Sequence, residues 1–215
     1  MPFVPTGFPA LDSMIAGDSE CRGFPRGGLS LIRGITGSGK TTILKKICEN
    51  AKTKGLRVVW VEPGSGHPEN SPRSIMDLAH FMSKLLHPGN QKHRADLIVV
   101  DDVTSFETDP NGPVAQMART LSDMFQVNLG STAIVLSMPI RKSPFSTYVE
   151  HSPPVSIGYQ SRVTIEIAKN GRVYDLKLVK SVVSHAGVSC TVNLEDLIDR
   201  SKIPTRYERI LCGRN

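Results

Sequence analysis

Leu29-Ser30-Leu31-Ile32-Arg33 runs directly into Gly34-Ile35-Thr36-Gly37-Ser38-Gly39-Lys40-Thr41, and Thr42-Ile43-Leu44 follows without a break. The first five residues read as a buried strand. Residues 40–53, KTTILKKICENAKT, read as an amphipathic helix, with Ile43, Ile47 and Ala51 on one stripe and the lysines elsewhere. Between strand and helix lies a full match to G-x-x-x-x-G-K-[ST]. Each residue type has a chemical reason. Glycines let the backbone curl so that successive N–H groups converge on phosphate oxygens. The helix start adds the positive end of its dipole. Lys40 offers a point charge to β- and γ-phosphates, and the Thr41 hydroxyl is a hard oxygen ligand for Mg²⁺. The nucleotide-binding candidates are therefore Gly34, Ile35, Thr36, Gly37, Ser38, Gly39, Lys40, Thr41 and Thr42.

Outward from this loop the chain alternates β-rich runs with helical stretches. LRVVWV (56–61), DLIVV (96–100) and TAIVLSM (132–138) read as strands; 73–87 and 113–128 read as helices. Such alternation predicts parallel strands covered by helices. The pattern changes at 139–158, where four prolines fall and a loop without regular structure is expected. SRVTIEI (161–167), an Asn170-Gly171 turn and RVYDLKLVK (173–180) then read as a β-hairpin. HAGVSCTVNL adds a short strand and EDLIDRSK a terminal helix. No internal repeat or low-complexity tract is visible.

Composition narrows the class. The 215 residues hold 26 Lys/Arg and 20 Asp/Glu, a net charge of +6, with 39% hydrophobic residues. This is a globular composition, and one domain over 1–215 is expected. The excess charge lies late in the chain: residues 139–215 carry +5 of it. No apolar run is long enough to span a membrane, and no signal peptide is visible. The four cysteines are scattered without a C-x-x-C pair, which suits a reducing compartment: the cytoplasm with its nucleoid, or a nucleus. His80 and His87 are seven apart, about 10.5 Å along a helix, too far to share one ion unaided.

Two acids stand where phosphate chemistry needs them. The strand at 97–100 ends in Asp101-Asp102. Asp101 is the expected Mg²⁺ partner beside the glycine loop, with Asp102 facing away by strand alternation. The strand at 56–61 ends in Glu62, placed to orient and deprotonate an attacking water. Ligands of open parallel sheets bind at such carboxyl ends.

With these residues in place, the chain resembles the RecA/RadA/KaiC group of P-loop ATPases. Thr6-Gly7-Phe8-Pro9-Ala10-Leu11-Asp12 is similar to the group's T-G-x-x-x-L-D opening, and Gly23-Phe24-Pro25-Arg26-Gly27-Gly28 to the turn before its phosphate-loop strand. Glu62 falls at the group's catalytic glutamate and LIVVDDVTSF at its Walker B strand. The resemblance runs from residue 6 to about 192. It implies an α/β fold with a mainly parallel central sheet, flanking helices and a C-terminal antiparallel hairpin. It also implies MgATP as cofactor, with Glu62 and Lys40 catalytic and Thr41 and Asp101 on the metal.

The resemblance further implies two loops lining a DNA path. The first, about 103–113, is acidic here. The second, 139–158, carries Arg141, Lys142, Phe145, Tyr148 and His151. Cations interleaved with aromatics suit single-stranded DNA, charge for phosphates and rings for bases; the alternative is a solvated loop whose aromatics pack on their own domain. Three departures stand out. Five residues precede Thr6 here, so the N-terminal domain of the group's recombinases is not expected. Ser137-Met138 replaces the Asn-Gln sensor. The basic pair that reaches a neighbour's γ-phosphate is reduced to Lys180. The chain is thus similar to a minimal recombinase paralogue of the RadB or phage type. It is expected to act on single-stranded DNA in recombination or repair, with a homo-oligomer or a recombinase paralogue as partner. A KaiC-like regulatory ATPase and a nucleotide-binding adaptor working through protein partners are the alternatives.

Overall fold

Short β-branched runs and the strand–loop–helix unit build an α/β sheet. The computed structural model describes residues 3–17, 22–63, 72, 75–86, 94–102, 132–142, 149–151, 161–182 and 184–193. The expected helix at 113–128, the terminal helix, the 103–113 loop, and Phe145, Tyr148, His87 and His93 lie outside them.

The elements in chain order are β1 (Phe3–Val4), α1 (Pro9–Ala16), β2 (Phe24–Pro25), β3 (Gly28–Gly34), α2 (Lys40–Thr53), β4 (Val58–Val61), α3 (Ile75–Leu86) and β5 (Leu97–Val100). They continue with β6 (Ala133–Lys142), β7 (Val149–His151), β8 (Val163–Asn170), β9 (Val173–Ser181) and β10 (Ser189–Asn193). Among the described residues, one sheet has the order β10-β9-β8-β3-β6-β5-β4, with β7 paired to β6. β3 runs parallel to both β6 and β8, and β5 runs parallel to β4 and β6. The β8–β9 and β9–β10 pairs are antiparallel. The expected parallel centre and antiparallel C-terminal hairpin are both present.

Alternation along the central strands divides the core into two layers. Ile32, Leu97, Val99, Ala133 and Val135 face α1 and α2; Leu31, Ile98, Val100, Ile134 and Leu136 face the side carrying Leu78 and Met82 of α3. Helix α2 forms because Ile43, Leu44, Ile47, Cys48 and Ala51 fall on one buried stripe. Each large member of that stripe contributes about 1.5–3 kcal/mol by leaving water. Burial pushes the Cys48 thiol up to about 12. Lys45 Nζ lies 5.8 Å from the centre of the Trp60 ring and covers that aromatic on β4.

The opening motif is a brace. Asp12 is buried and accepts the Thr6 N–H at 2.8 Å. Thr6 Oγ1 accepts the Phe8 N–H at 3.1 Å, and Asn50 Nδ2 of α2 donates to the Thr6 carbonyl at 3.1 Å. Burial raises the Asp12 carboxyl above its ordinary value, and the hydrogen bonds from Thr6 oppose that rise. The brace thereby fastens the N-terminal segment to the helix that begins at the phosphate loop.

Two expectations change. The stretch from 139 was expected to be irregular, yet β6 continues through Pro139 to Lys142 and pairs with β7: Ile140 opposite His151, Arg141 opposite Glu150, Lys142 opposite Val149. Pro139 is the register partner of Gly34, the last residue of β3. The missing proline N–H therefore falls at the end of that ladder, where its loss costs least. Second, β6 lies between β3 and β5, so the strand ending at Asp101 does not adjoin the strand of the glycine loop.

Candidate functional site

β3 delivers the glycine loop to the carboxyl edge of the sheet, and α2 starts at Lys40. Ile35, Thr36 and Gly37 form an exposed crown, while Gly34, Ser38 and Lys40 are buried beneath it. Gly37 sits at φ 81 and Gly39, the N-cap of α2, at φ 85, a region that residues with a Cβ enter only under strain. The Ser38 N–H donates to the Ile35 carbonyl at 3.0 Å and closes the curl.

Lys40 Nζ donates to the Gly34 carbonyl at 2.9 Å and to the Ile35 carbonyl at 3.1 Å. The ammonium thus lies folded across the mouth of the loop. Burial lowers its pKa from the ordinary lysine value, and the carboxylates of Asp102 and Asp101 oppose that shift. Both acids act on Lys40, so Asp102, which alternation was expected to turn away, shares the field of the site. The reason is that the chain leaves the ladder after Val100, and the period of two no longer governs the residues beyond it.

The Asp101 N–H donates to the Val61 carbonyl at 3.0 Å, locking the tips of β4 and β5 together. Val61 is in register with Val100, so Glu62 and Asp101 leave adjacent strand tips side by side. Glu62 is exposed, and so are the Thr41 and Thr42 side chains. Asp101 is 8% exposed. Val100 pairs with Leu136, which places Ser137 between Asp101 and β3. Ser137 Oγ and Ser38 Oγ are buried, and neither has a hydrogen-bond partner among the described residues. Ser137 had been read only as a replaced sensor. Its orphaned hydroxyl lies on β6 beside the acidic strand tip, a placement that only the strand order reveals.

The donor set fits a magnesium nucleotide. An ammonium, the N–H groups of a helix start and an orphaned Ser38 hydroxyl converge on one loop, with acids alongside it. Lys40, Ser38 and the 34–41 backbone would hold phosphates; Thr41 and Asp101 would hold the metal, which supplies charge neutralisation when bound.

Residues 11–139 match the family model of novel STAND NTPase 5. The chain belongs to that family. The crystal structure of the RadB recombinase is similar to it, with a TM-score of 0.69 at 16% sequence identity, covering 89% of this chain and 96% of that chain. At that identity the likeness speaks for the fold, which is RecA-like. No curated protein matches the sequence. The protein is thus a P-loop NTPase of RecA-like fold, as its glycine loop implied.

The match to novel STAND NTPase 5 holds the glycine loop, Glu62 and Asp101, and ends at Pro139, before Arg141 and β8–β9. In this NTPase, Arg141 and Lys142 lie on β6 just beyond the rung shared with Gly34. At about 3.3 Å per residue, Lys142 is roughly 10 Å along the strand from that rung. Lys180 does not join the site within its own chain. It lies two strands from β3 and pairs with Thr164, which is level with Leu31. His80 is exposed on α3. No helix of the described residues is long and apolar enough to cross a membrane.

Proposed function

We propose that this NTPase binds and hydrolyses MgATP and acts on single-stranded DNA in recombination or repair. The observation that carries this reading is the shared rung of Gly34 and Pro139, which joins the phosphate loop to the β6–β7 hairpin at one edge of the sheet. Loop movements on nucleotide binding reach Arg141 and Lys142 through three residues of β6. Those cations attract DNA phosphates, with Phe145 and Tyr148 following them in sequence as stacking rings. Glu62 activates the attacking water, Asp101 and Thr41 hold the metal, and Lys40 steadies the β- and γ-phosphates. A solved structure similar to this chain is that of a recombinase. Lys180 serves the nucleotide of a neighbouring subunit in a homo-oligomer or a complex with a paralogue.

The deciding experiment is the ATP hydrolysis rate with and without single-stranded DNA, alongside sizing in MgATP. Stimulation by DNA is expected. Turnover indifferent to DNA removes the DNA role and selects a regulatory ATPase. Binding without turnover under either condition selects a nucleotide-binding adaptor.

A further inference from the structure

The phosphate loop rests at both ends on the β8–β9 hairpin. A Cβ at Gly34, the first glycine of the motif, would strike the carbonyl oxygen of Ile167 on β8. A Cβ at Gly39, the last, would strike the ring of Tyr174 on β9. Gly37, between them, has no such neighbour within 4 Å. The ends of the loop are seated and its crown is open. The support itself is firm. β8 pairs with β3 from Ser30 to Arg33, and Arg33 Nη2 donates to Glu166 Oε2 at 3.1 Å one residue before the loop. Tyr174 is 5% exposed and belongs to the core layer that includes Ile43 and Ile47 of α2.

We propose that Tyr174 is a positioning residue for phosphate binding. This inference rests on the nucleotide reading above and adds a residue outside the motif to it. The Tyr174 ring fills the space that a side chain at position 39 would take, and so fixes the N-cap of α2. The N–H groups of Lys40 and Thr41 and the origin of the Lys40 side chain all start from that cap. With the ring removed, Gly39 can sink toward the vacated volume and the helix start no longer aims at one point. Loss of aim at the phosphates equivalent to one hydrogen bond weakens binding by about tenfold or more. The hydroxyl is not required for this role; the aromatic volume is.

The test uses the full chain and two probes, MgATP and magnesium tripolyphosphate, titrated by calorimetry into wild type, Tyr174→Phe, Tyr174→Leu and Leu178→Ala. Leu178 is fully buried on the same strand, away from the loop. Tyr174→Leu is expected to lose about tenfold or more in affinity for both probes, and Tyr174→Phe to retain wild-type affinity. Leu178→Ala is expected to lower the unfolding temperature while leaving affinity intact. If Tyr174→Leu does not fold, Tyr174→Met carries the same expectation. Wild-type affinity in the Leu or Met variant overturns the proposal, as does an equal loss in Leu178→Ala. A loss for MgATP alone also overturns it, because the ring would then be touching the base and not seating the loop. A wild type that binds neither probe refutes the nucleotide reading, and the inference falls with it.

Discussion

Replacing Gly37 and Gly39 with alanine, one at a time, separates backbone strain from side-chain contact. The two glycines have almost the same φ, 81 and 85. An alanine held in the left-handed region costs roughly 1–2 kcal/mol at either position. At Gly37 that is the whole effect, because the added methyl meets nothing within 4 Å. At Gly39 the methyl also meets the Tyr174 ring, which is buried and has little room to retreat. Overpacking of that kind adds about 1–3 kcal/mol. The expected destabilisation is therefore about 1–2 kcal/mol for Gly37→Ala and about 2–5 for Gly39→Ala. For a chain of this size each kcal/mol moves the unfolding midpoint by about 2–4 °C. Nucleotide-free thermal and urea unfolding should rank wild type above Gly37→Ala and that above Gly39→Ala. In a Tyr174→Leu background the gap between the two alanine variants should shrink, since neighbouring changes are not additive. Equal midpoints for the two single variants would refute the placement of Tyr174 under the loop.

Lys40→Ala should abolish ATP turnover in a coupled assay, because it removes the ammonium that lies across the mouth of the phosphate loop. Arg141 and Lys142 changed together to alanine should weaken single-stranded DNA binding and reduce its log–log salt slope by about 1.4, two contacts at about 0.7 each; an unchanged slope removes the hairpin from the DNA path. Asp12→Ala should cost about 1–3 kcal/mol by stranding the buried Thr6 N–H, whereas Asp12→Asn keeps an acceptor and should cost less. Because burial raises the folded-state pKa of Asp12, the folded chain keeps a proton that the unfolded chain has released just above pH 3.8. That contribution is full below 3.8 and fades as pH rises through the folded value, so Asp12→Asn should flatten the pH dependence of urea unfolding in this window.

What could be read from the residues was whatever is local in the chain. The strand, curl and helix of 29–53 carry their own signals in β-branched residues, glycines and a 3.6-residue stripe, and α2 begins and ends at the expected residues. The Asn170-Gly171 turn likewise announced its hairpin. Helix α1 was not foreseen: eight residues give barely two turns of periodicity, although Pro9 in its first turn was a usable signal. Strand order was out of reach for a different reason. Neither β3 nor β5 contains any mark saying that β6, from far along the chain, will lie between them, because ladder pairing is decided by long-range packing.

That inserted strand changes how the site is understood. With β6 between the glycine loop and the acidic tip, the attraction of Asp101 and Asp102 for Lys40 must act across a strand instead of between neighbours. Whatever fills that strand at the level of Asp101 therefore lies between the phosphate loop and the acidic tip. The residue is Ser137, fully buried, with an unpaired hydroxyl among the described residues. An apolar residue there would spare the cost of an unsatisfied polar atom, about 1–3 kcal/mol. Two residues further on, the same strand meets Gly34 through Pro139 and then carries Arg141 and Lys142 outward. One continuous ladder thus links the acid tip, the phosphate loop and the strand that carries Arg141 and Lys142.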